Sequence, residues 1–306
     1  MGAMDAMCRF MSSFTTTALV CALASTGLGA TAQEATPPRV LEGSPAPKAF
    51  AATSDPVIDA AGGDGSRIAV VIGMVSTFGP EYAGAARSTL GWEPGFAVRW
   101  GRLSFASRSA FAVRSSEPGT GGGLRLELAR SDRWRAGLGL RQDGGRDASS
   151  SPSLAGMGDI RRTLRARLSA STQVGPGWRV GAAWMVDLVG RGNGQLGDIN
   201  FGRDFGLTPR TGVNASAALG LGNRRYMQKW YGVTPAQAAS SGYAPYKPRV
   251  GLREIAVSLG GRTQIDAHWA VFYGIGASRL LGGAADSPLS FEPQSWNARA
   301  GLVYRF

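Results

Sequence analysis

Few residues in this chain are equipped for chemistry. His268 is its one histidine, and Cys8 and Cys21 are its two cysteines. A hydrolase built on a nucleophile needs a serine within reach of a histidine base that a third polar group orients. Trp269 and Ala270 follow His268, so no serine adjoins it on its own strand face. It reads as a solvated residue beside a tight turn. A structural zinc site needs about four His or Cys ligands, and both cysteines lie in a segment that reads as removable. Gly158-Asp159-Ile160 and Gly197-Asp198-Ile199 repeat a triplet whose carboxylate could meet a cation. An aspartate beside glycine is more often a turn residue that bonds its own backbone. Gly119 to Gly123 is glycine-rich but lacks the Lys-Ser/Thr and following helix of a phosphate loop. The expectation is a protein with no catalytic residue, no metal and no cofactor.

What the chain has in quantity is arginine at regular spacing. Lys and Arg total 33 against 21 Asp and Glu, for a net charge of +12. A nucleic-acid binder gathers such charge into a run or a helical stripe. Here the arginines alternate with apolar residues, so nucleic acid is not an expected partner. Arg99, Arg108, Arg125, Arg135, Arg165, Arg167, Arg179, Arg262 and Arg299 fall on the parity opposite their apolar neighbours, with fewer acids beside them, chiefly Glu127, Asp187 and Glu254. Two readings stand. The arginines fill a narrow barrel with hydrogen bonds and ion pairs, or they line an anion-favouring channel.

The elements that must position them are strands. From Trp178 to Leu188 one parity reads Trp178, Val180, Ala182, Trp184, Val186, Leu188, and the other Arg179, Gly181, Ala183, Met185, Asp187. Period two is the mark of a strand with one apolar and one polar face. Twelve such segments are expected, at about 67–77, 94–101, 103–113, 123–130, 133–141, 161–174, 177–189, 197–207, 211–222, 252–265, 268–281 and 295–306. The eighth has the weakest pattern. Every second connection is minimal, as at Ser131-Asp132, Gly175-Pro176 and Asp266-Ala267, while 78–93, 142–160 and 223–251 are long. Strict short–long alternation is how outer-membrane barrels are built. A soluble sandwich also alternates, but it does not ask for aromatic residues at strand ends such as Trp92, Trp134 and Trp296. The expected fold is all-β, an antiparallel transmembrane β-barrel of about twelve strands, with ten or fourteen as the even-numbered alternatives.

The expected organisation is a signal peptide at 1–32, a flexible periplasmic tail at 33–65 and the barrel at 66–306. An apolar stretch from about Phe14 to Leu28 followed by Ala30-Thr31-Ala32 is the pattern of export and cleavage. The expected location is the cell outer membrane, and the expected partners include outer-membrane lipid and the outer-membrane assembly machinery. The last apolar parity ends in Tyr304 and Phe306, which resembles the terminal signal read by that machinery.

One stretch is more specific. Tyr231-Gly232-Val233-Thr234-Pro235-Ala236-Gln237-Ala238-Ala239-Ser240-Ser241-Gly242, then Tyr246 and Gly251-Leu252-Arg253-Glu254, resembles the characteristic segment of the MipA/OmpV family. Pro80-Glu81-Tyr82-Ala83-Gly84 matches a second motif in part, with Ala85 where the family usually has serine. The resemblance spans about 66–306. It implies an outer-membrane barrel and, for some members, a scaffold linking a lytic transglycosylase to a peptidoglycan synthase; it points to no catalytic residue. Physically, Thr234 suits a helix N-cap, Pro235 the first helical position and Gly242 the residue after the stop. Tyr231, Gly232, Val233, Gln237 and Ala238 then belong to an external loop with one short helix, packed over the barrel mouth. For the terminal aromatic, Phe306→Asp is expected to leave export intact but to deplete the outer-membrane fraction and the SDS-resistant, heat-modifiable band. Unchanged levels of both would show that Phe306 carries no assembly information.

Overall fold

The computed structural model describes residues 68–107, 122–131 and 133–306. The expected signal peptide, the 33–65 tail, Arg108 and the later part of the 103–113 strand lie outside the described residues. Twelve strands follow in order: β1 (Ile68–Pro80), β2 (Ser88–Trp100), β3 (Leu103–Ala106), β4 (Gly123–Arg130), β5 (Trp134–Asp143), β6 (Thr163–Gly175), β7 (Trp178–Asp187), β8 (Gln195–Thr208), β9 (Thr211–Gly222), β10 (Gly251–Gln264), β11 (Trp269–Leu280) and β12 (Gln294–Arg305). Each pairs antiparallel with the next, and β12 returns to β1 to close the barrel. The closing register runs from Val71 opposite Arg305 to Phe78 opposite Ala298. The Phe306 N–H carries the seam one step further by donating to the Val70 carbonyl at 3.1 Å. Both Ile68 and Arg305 thus lie at the end that holds the tight turns.

The pleat sorts the side chains. Ile72, Phe96, Leu126, Leu138, Leu168, Ile199, Leu259, Ile275 and Leu302 stand exposed on the outer wall, with Trp100, Trp134 and Trp269 near the turn end and Trp92, Trp184 and Trp296 near the loop end. That is an apolar belt between two aromatic girdles. One strand starts earlier than expected, and the weakly patterned eighth is present. β2 begins at Ser88 because its first residues pair fully with β1, Ser88 opposite Pro80, even though Glu93 and Pro94 blur the alternation. β8, the segment with the weakest pattern, is as long as any strand at 14 residues. Its inward parity is Leu196, Asp198, Asn200, Gly202 and Asp204, too mixed to read as one face.

Part of the inner wall is apolar. Ala69, Val71, Val75, Ala97, Ala106, Ala270, Phe272 and Val303 form one buried cluster spanning β1, β2, β3, β11 and β12. Gly301 sits opposite Phe272 on the neighbouring strand, and a Cβ there would lie 2.2 Å from Phe272 Cζ, 2.4 Å from its Cε1 and 2.7 Å from the Met74 carbonyl oxygen. Glycine is what lets a large ring fill the narrow interior beside the seam. Gly301→Val is expected to cost about 1–3 kcal/mol through overpacking and to lower the temperature at which the folded band converts on electrophoresis. An unchanged conversion temperature would contradict this packing.

Candidate functional site

The long connections fold over the opposite end. Two short 3-10 turns, Ala148–Ser150 and Pro152–Leu154, lie between β5 and β6. Helices α1 (Arg224–Tyr231) and α2 (Pro235–Ser241) lie between β9 and β10, and α3 (Gly282–Ala285) between β11 and β12. α2 is the helix expected from the sequence. Thr234 caps it in a full capping box with Gln237, Pro235 opens it, and Gly242 ends it in the left-handed region at φ 79°. α1 was not expected, because Arg224, Arg225 and Lys229 disguise its apolar face. The available signal was Asn223, whose Oδ1 accepts from the Tyr226 N–H at 2.9 Å, ahead of Tyr226, Met227, Trp230 and Tyr231 at helical spacing.

That face is the plug. Tyr226, Met227 and Tyr231 are buried against inward-pointing Met185, Leu196 and Leu280 and against Ala284 of α3. Gly222 makes room: a Cβ there would lie 2.8 Å from Tyr226 Cδ1 and 2.9 Å from Met227 Sδ. The motif stretch binds the loops to one another. The Tyr231 carbonyl accepts from Ser287 Oγ at 2.7 Å, and Gln237 Nε2 donates to the Met157 carbonyl at 2.7 Å. Val233 exchanges two backbone bonds of 2.9 Å with Tyr246 and packs with Met157 and Leu289, with Ala238 against them. Gly232 lies against the Gln228 side chain. Arg146 donates to the Trp230 carbonyl at 2.9 Å. Burial draws its guanidinium down to about 10, and burial also pushes the Tyr82 phenol up; the Arg146 guanidinium rests 5.9 Å over the Tyr82 ring.

Tyr226 stands between two buried arginines. The Arg165 guanidinium lies 5.7 Å from the ring centroid and the Arg253 guanidinium 5.6 Å. Arg165, 1% exposed, is held from every side: Nε to Asp143 Oδ2 at 2.7 Å, Nη1 to the Gly194 carbonyl at 3.0 Å and Nη2 to the Asn193 carbonyl at 3.1 Å. Arg253 lies 3.2 Å from Glu254 Oε2 and 3.6 Å from Asp198 Oδ1. A register shift in β10 between Leu252 and Glu254 lets these two adjacent residues both be buried. Asp143 and Arg253 were not foreseen as interior residues; the bulge that turns Arg253 inward leaves no trace in the alternation. Asp198 is therefore a strand residue facing an arginine, not a turn aspartate. Asp159 accepts from the Ala148 N–H at 2.8 Å, joining two parts of its loop, not its own turn.

The other arginines are dispersed. Arg99 lies 3.6 Å from Glu127 near the turn end. Arg179 is buried, and it and Arg135 act electrostatically on Asp204, which also accepts from Asn214 Nδ2 at 3.0 Å. Arg125 lies against Gly137. Arg262 and Arg305 repel one another. Arg167 and Arg299 stand half-buried on β6 and β12. His268 lies outside this set, its ring stacked 5.6 Å from Tyr304 at the turn end. Tyr304 also meets Phe306 at 4.9 Å. Among the described residues, no group of three or more His, Cys, Asp or Glu is placed to hold a metal ion.

The family model for the MltA-interacting protein MipA matches residues 72–306. The chain belongs to that family. No curated protein matches it. Solved structures of similar fold include the KdgM porin in complex with disordered oligogalacturonate, 9% identical, covering 77% of this chain and 99% of that one with a TM-score of 0.38. The outer-membrane expressed OmpT of Vibrio cholerae is 9% identical over 79% and 98% of the two chains, with a TM-score of 0.34. The anion-selective porin from Comamonas acidovorans is 10% identical over 78% and 98%, with a TM-score of 0.35. These likenesses concern the fold alone.

In this MipA-family barrel the Tyr226 ring is what joins the plug to the wall. Tyr226→Ala removes a buried aromatic, a loss of roughly 3–5 kcal/mol, and is expected to expose the 224–229 segment to trypsin while the strands stay intact. Tyr226→Phe keeps the ring and is expected to stay resistant. Equal resistance in Tyr226→Ala would contradict the clamp.

Proposed function

We propose that the chain is a non-enzymatic outer-membrane protein that serves as a scaffold for peptidoglycan-remodelling enzymes, a lytic transglycosylase and a peptidoglycan synthase among them. The observation that carries this reading is membership of a family described as MltA-interacting, over 72–306. The capped mouth accords with it, since a plugged barrel offers a fixed platform. A periplasmic partner has two places to bind. One is the 33–65 tail. The other is the turn-end rim, where Arg102, Arg133 and Arg210 are exposed. Crosslinking in isolated envelopes is expected to recover a murein enzyme with the parent chain and less of it after deletion of 33–65 or in R102Q/R133Q/R210Q. Recovery of no murein enzyme with the parent chain would refute the scaffold.

A second reading, a small channel with an anion-favouring lumen, has one observation in its favour. Arg135, Arg179 and Arg262 lie on the inward parity near the turn end, where Asp204 is in the field of the first two and Arg262 in that of Arg305. If the barrel conducts in a planar bilayer, anion preference that falls in R135Q/R262Q supports this reading. Absence of conductance refutes it.

A further inference from the structure

Five arginines crowd one arc of the loop-end rim. Arg161 and Arg162 precede β6, Arg191 lies between β7 and β8, and Arg224 and Arg225 open α1; all are exposed. Hydrogen bonds hold the three segments side by side. Asn193 Nδ2 donates to the Arg161 carbonyl at 3.1 Å, and the Gln195 N–H donates to Asn223 Oδ1 at 3.1 Å. Below them Arg165 grips the Asn193 and Gly194 carbonyls.

The five arginines outnumber the carboxylates beside them. Asp159, two residues before Arg161, accepts from the Ala148 N–H at 2.8 Å. Asp187 is engaged by Thr163 and by the Val189 and Asn193 N–H groups, and Asp198 faces Arg253. Among the described residues, no ion pair engages any of the five guanidinium groups. Arg224 and Arg225 also stand in the first turn of α1, where the helix dipole disfavours positive charge. They weaken the plug helix on their own account, so its stability does not explain them. Beneath the arc the outer wall turns apolar at once, with Leu164, Trp184, Leu188, Val189 and Ile199 exposed. Cationic forks directly above an apolar wall match an anionic headgroup above acyl chains.

We propose that this arc binds the phosphate groups of the phosphorylated glycolipid in the outer leaflet. The proposal rests on the outer-membrane reading given above. Guanidinium forks suit phosphate oxygens in bidentate geometry, and the five groups present their charge at the level where the leaflet begins. A soluble polyanion would use the charge but not the wall below it. Binding is expected to weaken with added salt.

The test uses the folded full chain in phosphatidylcholine nanodiscs, titrated with lipopolysaccharide that carries both lipid A phosphates. R161Q/R162Q/R191Q/R224Q/R225Q is expected to bind roughly tenfold more weakly or worse. R87Q/R249Q, on other parts of the rim, is expected to match the parent. Dephosphorylated lipopolysaccharide is expected to bind the parent as weakly as the intact glycolipid binds the fivefold variant. Equal binding by parent and fivefold variant, or no preference for the phosphorylated glycolipid, overturns the proposal. So does full displacement by millimolar inorganic phosphate, which would make the arc a free-phosphate site. The heat-modifiable band checks folding; should the fivefold variant fail it, R161Q/R162Q and R191Q are read separately, each with a partial loss expected. Membrane fractionation tests the outer-membrane reading by itself, and a chain found elsewhere would refute that reading while leaving the titration to decide the arc's chemistry.

Discussion

A strand surrounded by hydrocarbon has no water to take up its spare N–H and C=O groups, and each one left open costs several kcal/mol. The pairing of β12 with β1 removes the two edges that an open twelve-strand sheet would expose. Much else follows from that closure. It fixes which parity faces outward, and so where the apolar belt and the two aromatic girdles fall. It encloses a narrow interior, so inward side chains must either be small, like Gly301 under Phe272, or find polar partners. Antiparallel order with tight alternate turns brings the described long connections to one end, where they pack over the barrel mouth and on one another.

The interior solves its polar problem unevenly. Buried ions are costly unless hydrogen-bonded and paired. Arg165 meets this condition fully, with Asp143 and two carbonyls around its guanidinium. Arg253 meets it through Glu254 and Asp198. These two arginines also provide the walls between which the plug helix rests its Tyr226 ring. Cation–π contacts gain strength when water is excluded, and Tyr226 is fully buried. The same charges that keep the upper interior electrically satisfied thus hold the cap. Towards the turn end Arg135, Arg179 and Arg262 also lie on the inward parity, with Asp204 in the field of the first two.

The fold was legible because a barrel strand repeats every two residues, and the signal survives wherever large apolar residues fill the outward parity, as in Trp178, Val180, Trp184 and Val186. It faded in β8, where glycines and polar residues share the inward face, and at the start of β2, where Pro94 and Glu93 interrupt it. The external helix at 235–241 was legible because capping is local chemistry: Thr234, Pro235, Gln237 and Gly242 each act within one turn. The plug helix was not, since its face is complementary to Met185, Leu196 and Leu280 on strands distant in sequence. The inward turn of Arg253 was hidden for a related reason. A bulge shifts parity by one residue, and nothing in the spacing of charges announces it.

Backbone amide exchange of the folded barrel in detergent tests the central claim, that a closed sheet and a clamped plug form one protected structure. The account predicts slow exchange at Met74, Ser76, Leu302 and Tyr304 along the β1–β12 seam and at Gly232, whose N–H bonds the Gln228 carbonyl at the end of α1, with protection at Gly232 lost in Tyr226→Ala and the seam unaffected. Rapid exchange along the seam in the parent chain, or a Gly232 amide that exchanges freely while Tyr226 is in place, would contradict it.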